Sequence, residues 1–360
     1  MSDVVCVLSQ QNLELPLKQD DALGVFSKIA HHACLSDRFG FLNQFSPWDF
    51  VSTEILPDTS GFSESIDTLM CRRAVEVFDA VDKPLYVAWS GGVDSTAMVI
   101  ALSMLEKPFN IVYTASSIDE YPEFYEYLKT LPFVTLIQSS AVKLPETLSN
   151  ASFEGTLVTG FPADQLFGSI VNQFLDIPFN SSWKDLIKTT TAVEQFEAAF
   201  TYYKLPVKTV SELTWFINFA CKWNIVTHML TSFCGLPYGS VINYFEPIYF
   251  QQWSISNFDN LHQYSQTDPK YYKIELKNFI NKFFNKGNYV VDKGKTGSLG
   301  YAFKFEQQYI YKIDPWIAWL DVDNKVYTQH YGQSLPYSDA VRMQNIMLYR
   351  FLKTKRRVYG

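Results

Sequence analysis

The feature that most constrains the fold is a short apolar run that passes through a glycine-containing loop into an apolar helix. The run is Leu85–Trp89, the loop reads SGGVDST over residues 90–96, and AMVIALSML follows it. An apolar run of this length is typical of a strand buried on both faces of a parallel sheet. The helix after it is apolar enough to pack against that sheet. The arrangement therefore predicts an α/β fold built on parallel strands.

The rest of the N-terminal half continues this alternation of strands and helices. A helical pattern begins near Ser63, and another helix is predicted over Tyr121–Leu128. Further strands are predicted at Phe109–Ala115, Val134–Ile137 and Thr156–Val158. Strands that alternate with helices predict a doubly wound parallel sheet.

The C-terminal half differs because its patterns are mainly helical. Long candidate helices cover 183–203 and 211–230, further helix is expected over 248–284, and a last helix over 338–353 closes the chain. The segment 288–327 is aromatic and harder to assign. These changes predict three parts: an N-terminal appendage at 1–62, a core at 63–180, and a mainly helical part at 181–360.

The loop at residues 90–96 has the chemistry of an anion site. Gly91 and Gly92 permit backbone angles and a close approach that a Cβ would prevent. Their amides, with that of Val93 in the first helical turn, point at a ligand near the positive end of the helix. Asp94 would repel a phosphate but is suited to hold a Mg²⁺ ion that bridges phosphates. Three hydroxyl groups add donors: those of Ser90, Ser95 and Thr96.

This loop is not a Walker A motif, because no lysine follows its glycines. The GKT string in the chain, at residues 294–296, has Tyr289 where the first Walker glycine belongs, so that match is rejected. The competing interpretation of residues 90–96 is an ordinary glycine-containing βα turn.

The string SGGVDS, between an apolar strand and an apolar helix, resembles the PP-loop of ATP pyrophosphatases, which cleave ATP between its α and β phosphates. The resemblance implies a fold like that of the adenine nucleotide alpha-hydrolases, with ATP and Mg²⁺ bound. It assigns residues 90–96 to the pyrophosphate and Asp94 to the metal. The second strand, around Tyr113 to Ser116, is expected to lie near adenine.

Later segments resemble the synthetase domain of asparagine synthetase and its relative β-lactam synthetase. Residues 159–168, TGFPADQLFG, look like that family's SGxGxDExFGG, which places Gly160 at the nucleotide and Asp164 as the second Mg²⁺ ligand. Residues 246–250, EPIYF, are similar to its RxPFLD segment. KIELK at 273–277 resembles its KxxLR helix, and KGKTG at 293–297 resembles its RxKxGF segment.

The last two resemblances imply two catalytic lysines, Lys273 and Lys295. A lysine from a distant loop suits the chemistry, because the PP-loop has none to neutralise charge on the α-phosphate. Each assignment has a plainer alternative. Taken alone, Asp164 would be a helix cap, Lys273 would belong to an amphipathic surface helix, and Lys295 would lie in a surface loop.

Departures from the family narrow the expected activity. Asparagine synthetases begin with a glutaminase domain whose nucleophilic cysteine follows the initiator Met, whereas this chain has Ser2 and only about sixty residues before the core. Glutamine is therefore not expected to supply ammonia on this chain, and a separate amine-donor protein is one candidate partner. Phe161 and Pro162 replace residues that are commonly acidic and glycine in the family, and Gln165 replaces the usual Glu. Phe161 suggests a different acceptor or weaker amide formation.

The function expected from these residues is an ATP-dependent ligase. It would adenylate a carboxylate on a small molecule or peptide, release pyrophosphate, and form an amide with ammonia or a substrate amine. Two alternatives remain open. One is a PP-loop enzyme that modifies a nucleobase or tRNA by thiolation or nitrile formation, and the other is a homologue that binds a nucleotide without catalysis.

Charge and composition limit the partners. The net charge of −7 argues against a general nucleic-acid binder, which normally shows a basic stripe. No run of about eighteen apolar residues predicts a membrane span. Five scattered cysteines without a CxxC pair suit a reducing compartment, and the N-terminus lacks the pattern of a signal peptide, so a cytoplasmic location is expected.

Overall fold

A computed structural model of the 360-residue chain shows an α/β architecture. It describes residues 7–8, 33–34, 37–39, 41–42, 55–139, 154–168, 177–187, 190–221, 223, 226, 241–265, 271–284, 316–320 and 326–330.

The described strands are β1 Val7–Leu8, β2 Ala33–Cys34, β3 Leu85–Ala88, β4 Phe109–Tyr113, β5 Val134–Gln138, β6 Thr156–Thr159, β7 Val241–Asn243, β8 Trp316–Leu320 and β9 Val326–His330. The described α-helices are α1 Ile66–Asp79, α2 Val93–Ser103, α3 Ala115–Glu120, α4 Pro122–Leu128, α5 Ala163–Phe167, α6 Trp183–Leu186, α7 Thr190–Tyr203, α8 Val210–Phe216, α9 Ile248–Ser256, α10 Phe258–Ser265 and α11 Ile274–Phe283. A π-helical stretch, Ile217–Cys221, continues α8.

The central feature is a five-stranded sheet in the order β5-β4-β3-β6-β7, in which every neighbouring pair is parallel. The predicted parallel α/β sheet is confirmed. Both faces of the sheet are covered at β6, because all four residues of that strand are buried. Helix α2 is buried from Ser95 to Ser103, as expected for an apolar helix packed on such a sheet.

The direction in which strands are added reverses beside β3. The chain places β4 and then β5 on one side of β3, and later places β6 and then β7 on the other side. The carboxyl ends of β3 and β6 are therefore neighbours at the point of reversal. In open α/β sheets, ligands bind in the crevice at this point.

The element boundaries show where local patterns were misread. The predicted strand Phe109–Ala115 ends at Tyr113, and Ala115 begins a helix. The reason is local capping, because Thr114 and Ser117 form a reciprocal capping box that favours helix. The helix predicted from Ser63 begins at Ile66, after the Ser65 side chain accepts a hydrogen bond from the Thr68 amide at 3.2 Å.

The chain divides into two compact units. One contains Pro57–Phe167 and Gly239–Gln307 and holds the parallel sheet, while the other contains Met1–Leu56, Gly168–Tyr238 and Gln308–Gly360. Each unit draws on segments far apart in sequence, unlike the three consecutive parts expected from composition. That division, with its boundaries near 62 and 180, stays a prediction.

The second unit combines helices with a four-stranded sheet in the order β2-β1-β8-β9, whose strands are antiparallel. The expectation of a mainly helical C-terminal part missed β7, β8 and β9. Strand β7 has only three residues, and β8 and β9 form part of a sheet with strands near the N-terminus. Such short, non-local strands leave little periodic signal. The helix expected over Ser338–Lys353 lies outside the described residues.

A buried charged cluster organises the described helical part of this second unit. The Asp37 carboxylate accepts hydrogen bonds from the Tyr203 hydroxyl and the Leu42 amide, both at 2.6 Å. Burial raises the pKa of Asp37, although those hydrogen bonds oppose the shift. The adjacent Arg38 guanidinium lies 4.5 Å from the ring centre of Phe219, and its amide donates to the Ala220 carbonyl. The cluster therefore connects residues 37–39 and 41–42 to α7 and to the π-helical stretch.

Candidate functional site

The glycine-containing loop occupies the carboxyl end of β3, as its sequence predicts. Strand β3 ends at Ala88, and α2 begins at Val93 with Gly92 as its N-cap residue in an extended conformation. Because glycine has no side chain, nothing on the N-cap competes for the amides of the first turn. The loop thus presents a helix N-terminus at the point where the strand order reverses.

Gly91 has a conformation and surroundings that require glycine. Its φ is +78°, in the left-handed region. A Cβ at this position would lie 2.5 Å from the Ser117 carbonyl oxygen and 2.6 Å from Glu120 Cβ. Helix α3 therefore packs directly against the loop backbone.

The two loop serines bond to each other and to the loop backbone. The Ser90 amide donates to Ser95 Oγ at 3.1 Å, and the two hydroxyl oxygens lie 3.0 Å apart. Ser95 also donates to the Gly92 carbonyl at 3.2 Å. Ser90 is exposed, whereas Ser95 is buried. These bonds hold the loop in shape, and the exposed Ser90 hydroxyl is the more accessible to a ligand.

Thr96 has a structural contact that its sequence position did not indicate. The residue is fully buried, and its hydroxyl accepts a hydrogen bond from the Trp89 indole at 3.1 Å. This bond joins the first turn of α2 to the end of β3. The predicted contact between Thr96 and pyrophosphate stays a prediction.

The segment that follows β6 lies against the loop that follows β3. A Cβ at Gly160 would lie 3.2 Å from the Ser95 amide nitrogen and 3.3 Å from Asp94 Cβ. Distances in this range are shorter than nine in ten real Cβ contacts, so a side chain here would force a neighbouring atom to move by a few tenths of an ångström. Gly160 therefore allows its loop to approach the first turn of α2, and Asp164 follows in the first turn of α5.

Lys273 joins the two predicted metal ligands. Its ammonium group forms ion pairs with Asp94 Oδ2 and, at 2.6 Å, with Asp164 Oδ1. The Lys273 side chain is 5 % exposed, whereas the Asp94 and Asp164 side chains are 24 % and 38 % exposed, so a buried ammonium meets two carboxylates that solvent partly reaches. The Tyr272 hydroxyl donates to Asp164 Oδ1 at 2.7 Å. The structure thus brings three of the predicted site residues together from three distant parts of the chain.

The backbone holds Lys273 at this position. It is the N-cap residue of α11 and has a φ of 57°, in the left-handed region that non-glycine residues rarely adopt. Helix α11 packs against α2 and α1. The KIELK segment was expected to be helical, and its helix begins at Ile274. Lys277, in the next turn, is also buried.

Electrostatics keep the Lys273 ammonium charged. Burial alone would lower the pKa of Lys273, but the Asp164 and Asp94 carboxylates outweigh it and raise the pKa above the usual 10.5. Burial, with the same two carboxylates, raises the pKa of Tyr272 well above 10. Tyr272 therefore stays a neutral hydrogen-bond donor to Asp164. The cluster carries two negative charges and one positive charge.

The donor set fits a Mg²⁺ ion that is bound together with phosphates. In the part of the chain that the structure describes, no group of three or more His, Cys, Asp or Glu side chains could hold a metal. Mg²⁺ is usually bound by only one or two carboxylates, with substrate phosphates and water completing the shell. Asp94 and Asp164 both contact the Lys273 ammonium group, and they provide those two carboxylates. They would hold the ion in company with a nucleotide.

The residues just before the EPIYF segment lie beside the same loops. The Phe245 amide donates to the Phe161 carbonyl at 3.0 Å, and the Thr159 hydroxyl donates to Asn243 Oδ1 at 3.0 Å. Pro247 is the N-cap residue of α9. Asn243 and Phe245 thus support the TGFPADQLFG loop from the edge of the sheet where β7 pairs with β6, and α9, which follows Pro247, packs against α5.

Tyr113 lies at the carboxyl end of β4, which pairs with β3, the strand before the glycine-containing loop. Its hydroxyl lies 3.1 Å from the Tyr125 hydroxyl, and burial raises the pKa of Tyr113 to about 12. The ring is almost entirely buried. The adjacent Thr114 and Ser116 hydroxyls lie 2.8 Å apart at the start of α3. Contact of this region with adenine stays a prediction.

One predicted site residue lies outside the described residues, and three residues at the site were not predicted from the sequence. Lys295 and its KGKTG segment lie outside the described residues, so their role stays a prediction. Tyr272, Ser117 and Glu120 were missed. Tyr272 precedes the predicted Lys273, and that adjacency was its only signal. Ser117 belongs to the capping box with Thr114, but no local pattern marks the contact of Ser117 or Glu120 with Gly91, because that contact arises from the packing of α3.

No protein-family model matches this chain, and no curated protein matches it. None of the helices within the described segments is long and apolar enough to cross a membrane.

Proposed function

We propose that this chain is an ATP-dependent, AMP-forming ligase with a doubly wound fold of the PP-loop type, similar to the synthetase domain of asparagine synthetase. The observation that carries the proposal is the convergence of Asp94, Asp164 and Lys273. They meet beside a glycine-containing helix N-terminus, at the reversal of a parallel sheet. This geometry supports binding of a metal-bound polyphosphate.

The proposed reaction has two steps. A substrate carboxylate oxygen attacks the α-phosphorus of ATP, the bond to the β-phosphate breaks, and pyrophosphate leaves. An amine then attacks the acyl carbon of the resulting acyl-adenylate, AMP leaves, and the amine loses a proton as the amide forms. ATP, a carboxylic acid on a small molecule or peptide, and an amine are therefore the proposed ligands. A separate protein is the proposed source of ammonia where the acceptor carries no amine.

The chain's own groups would bind and position the phosphates. The amides of Gly91, Gly92 and Val93 would bind the pyrophosphate, with the exposed Ser90 hydroxyl as a further donor. Asp94 and Asp164 would hold Mg²⁺, which when bound neutralises charge on the departing pyrophosphate. Lys295 is the proposed stabiliser of charge on the α-phosphate.

One observation favours the alternative of nucleotide binding without catalysis. Lys273 already neutralises part of the charge on both carboxylates. The same arrangement is expected in a non-catalytic protein in which an ion pair has replaced the metal. A product assay separates the two functions. A catalytic chain forms AMP and pyrophosphate from ATP, whereas a binding protein leaves ATP intact.

The experiment is a screen of carboxylic acids by ATP–pyrophosphate exchange, followed by chromatography of the nucleotides. We expect AMP and pyrophosphate with the right acid, and the loss of both in Asp94→Asn and in Asp164→Asn. Asp67→Asn is the matched control, because Asp67 also pairs with a lysine of α11 but lies away from the loop. Formation of ADP and phosphate would contradict the PP-loop assignment.

Hydroxylamine distinguishes the amide ligase from the nucleobase-modifying alternative. An acyl-adenylate reacts with hydroxylamine to give a hydroxamate, whereas an adenylated nucleobase carbonyl does not. We expect hydroxamate in proportion to AMP, and no glutamate from added glutamine. AMP without hydroxamate would favour the nucleobase-modifying enzyme.

A further inference from the structure

The most unusual feature of the site is a buried lysine placed between two carboxylates that fit a metal. Each carboxylate contributes one oxygen to the same ammonium nitrogen. The two oxygens therefore face one common position, which the ammonium nitrogen fills. An ammonium group and Mg²⁺ cannot occupy this position together, because Mg²⁺ needs its oxygen ligands at about 2.0–2.1 Å.

The lysine cannot leave the carboxylates without a new partner. Its side chain is 5 % exposed, and its backbone forms the start of α11, which packs on α2. Moving a buried ammonium away from its counter-charges costs a large desolvation energy unless another anion receives it. Free Mg²⁺ brings no such anion. A nucleotide does, because its phosphates are acceptors for both the metal and the displaced ammonium.

We propose that Lys273 is a tethered cation that excludes free Mg²⁺ from Asp94 and Asp164, so that the metal enters the site only with a nucleotide. The inference rests on the proposed nucleotide site and adds the condition under which that site binds a metal ion. Lys273 holds the two carboxylates together in the nucleotide-free chain, and phosphate oxygens receive its ammonium when the metal binds. Binding of metal and of nucleotide is then positively coupled.

The test measures Mn²⁺ binding to the nucleotide-free full chain by the electron paramagnetic resonance signal of free Mn²⁺. Lys273→Met removes the charge and keeps most of the side-chain volume. We expect Mn²⁺ to bind the variant at least about tenfold more tightly than wild type, because an adjacent positive charge has been removed. Adding Asp94→Asn to this variant should abolish the gain. Lys282→Met is the control, since Lys282 lies on the same helix in an exposed pair with Asp67.

Equal Mn²⁺ affinity in wild type and Lys273→Met would overturn the inference, as would the same gain in Lys282→Met. The ATP–pyrophosphate exchange of wild type is measured separately and tests the proposed ligase activity. The Mn²⁺ measurement tests only the role of Lys273, so either proposal can be contradicted without the other. If Lys273→Met unfolds without metal, the inference predicts that Mg²⁺ refolds it, because the ion neutralises the same carboxylates. Circular dichroism gives that answer, and failure to refold at any Mg²⁺ concentration would contradict the inference.

Discussion

Replacing Gly91 with alanine tests whether the loop requires glycine because of its backbone angle or because of its close contact with α3. Both reasons apply at this position, since φ is +78° and a Cβ would lie 2.5 Å from the Ser117 carbonyl oxygen. Gly61 is a matched control. Its φ is +73°, but a Cβ there would meet nothing within 4 Å. Gly61→Ala therefore isolates the cost of the backbone angle.

The magnitudes follow from these two environments. A non-glycine residue in the left-handed region costs about 1–2 kcal/mol, which is the full effect expected for Gly61→Ala. Gly91→Ala adds an overpacking cost of about 1–3 kcal/mol. That cost cannot be relieved by a side-chain rotation alone, because the nearest atom is a backbone oxygen. We expect Gly91→Ala to lower the free energy of unfolding by about 2–5 kcal/mol in total.

Urea denaturation of the three chains measures these values, and nucleotide binding by calorimetry measures the effect on the site. We expect Gly91→Ala to weaken nucleotide binding because α3 or the loop must move, whereas Gly61→Ala should bind as wild type does. Equal destabilisation by the two substitutions would refute the argument from close contact. It would show that α3 yields to the added methyl group at no cost.

Two further predictions concern a titrating carboxylate and a lysine that lies outside the described residues. Although burial opposes it, the hydrogen bonds from Tyr249 and Arg72 lower the pKa of Glu76 below 4.5. The ionised Glu76 carboxylate therefore contributes its full stabilisation above pH 4.5. That stabilisation is lost as the pH falls through the lower pKa that Glu76 has in the folded protein. The difference in unfolding free energy between wild type and Glu76→Gln should shrink on acidification, while that for the exposed Asp79→Asn stays small throughout. Lys295→Ala should lower kcat about a hundredfold with little change in ATP affinity, as expected for a group that acts on the transition state; a greater loss in Lys293→Ala than in Lys295→Ala would contradict the assignment.

The strand, loop and helix around residues 90–96 could be predicted from the sequence because interactions between near neighbours in the chain determine them. An apolar run of strand length, two adjacent glycines and an apolar helix specify a β-loop-α unit wherever that unit lies in a fold. The same rules explain the errors near Thr114, where an overlooked capping box ended β4 earlier than hydrophobicity suggested. The three-residue strand β7 was missed because its length leaves no period to detect.

The assembly of the site depends on contacts that no local pattern encodes. Lys273 and Asp94 are 179 residues apart, and Tyr272 and Asp164 are 108 residues apart. Resemblance to a family singled out Lys273, but nothing in the sequence indicated that its ammonium lies between both carboxylates. That position follows from the strand order and from the packing of α11 against α2.

The sequence by itself therefore determined the residue types of the site, the loop and helix that carry Asp94, and the parallel sheet beneath them. Only the tertiary structure decided which charges meet, how deeply Lys273 is buried, and why Gly91 cannot carry a side chain. The physical reason is the range of the interactions. Backbone propensity and hydrophobic period act over a few residues, whereas ion pairing and steric exclusion act between whichever groups the fold brings together.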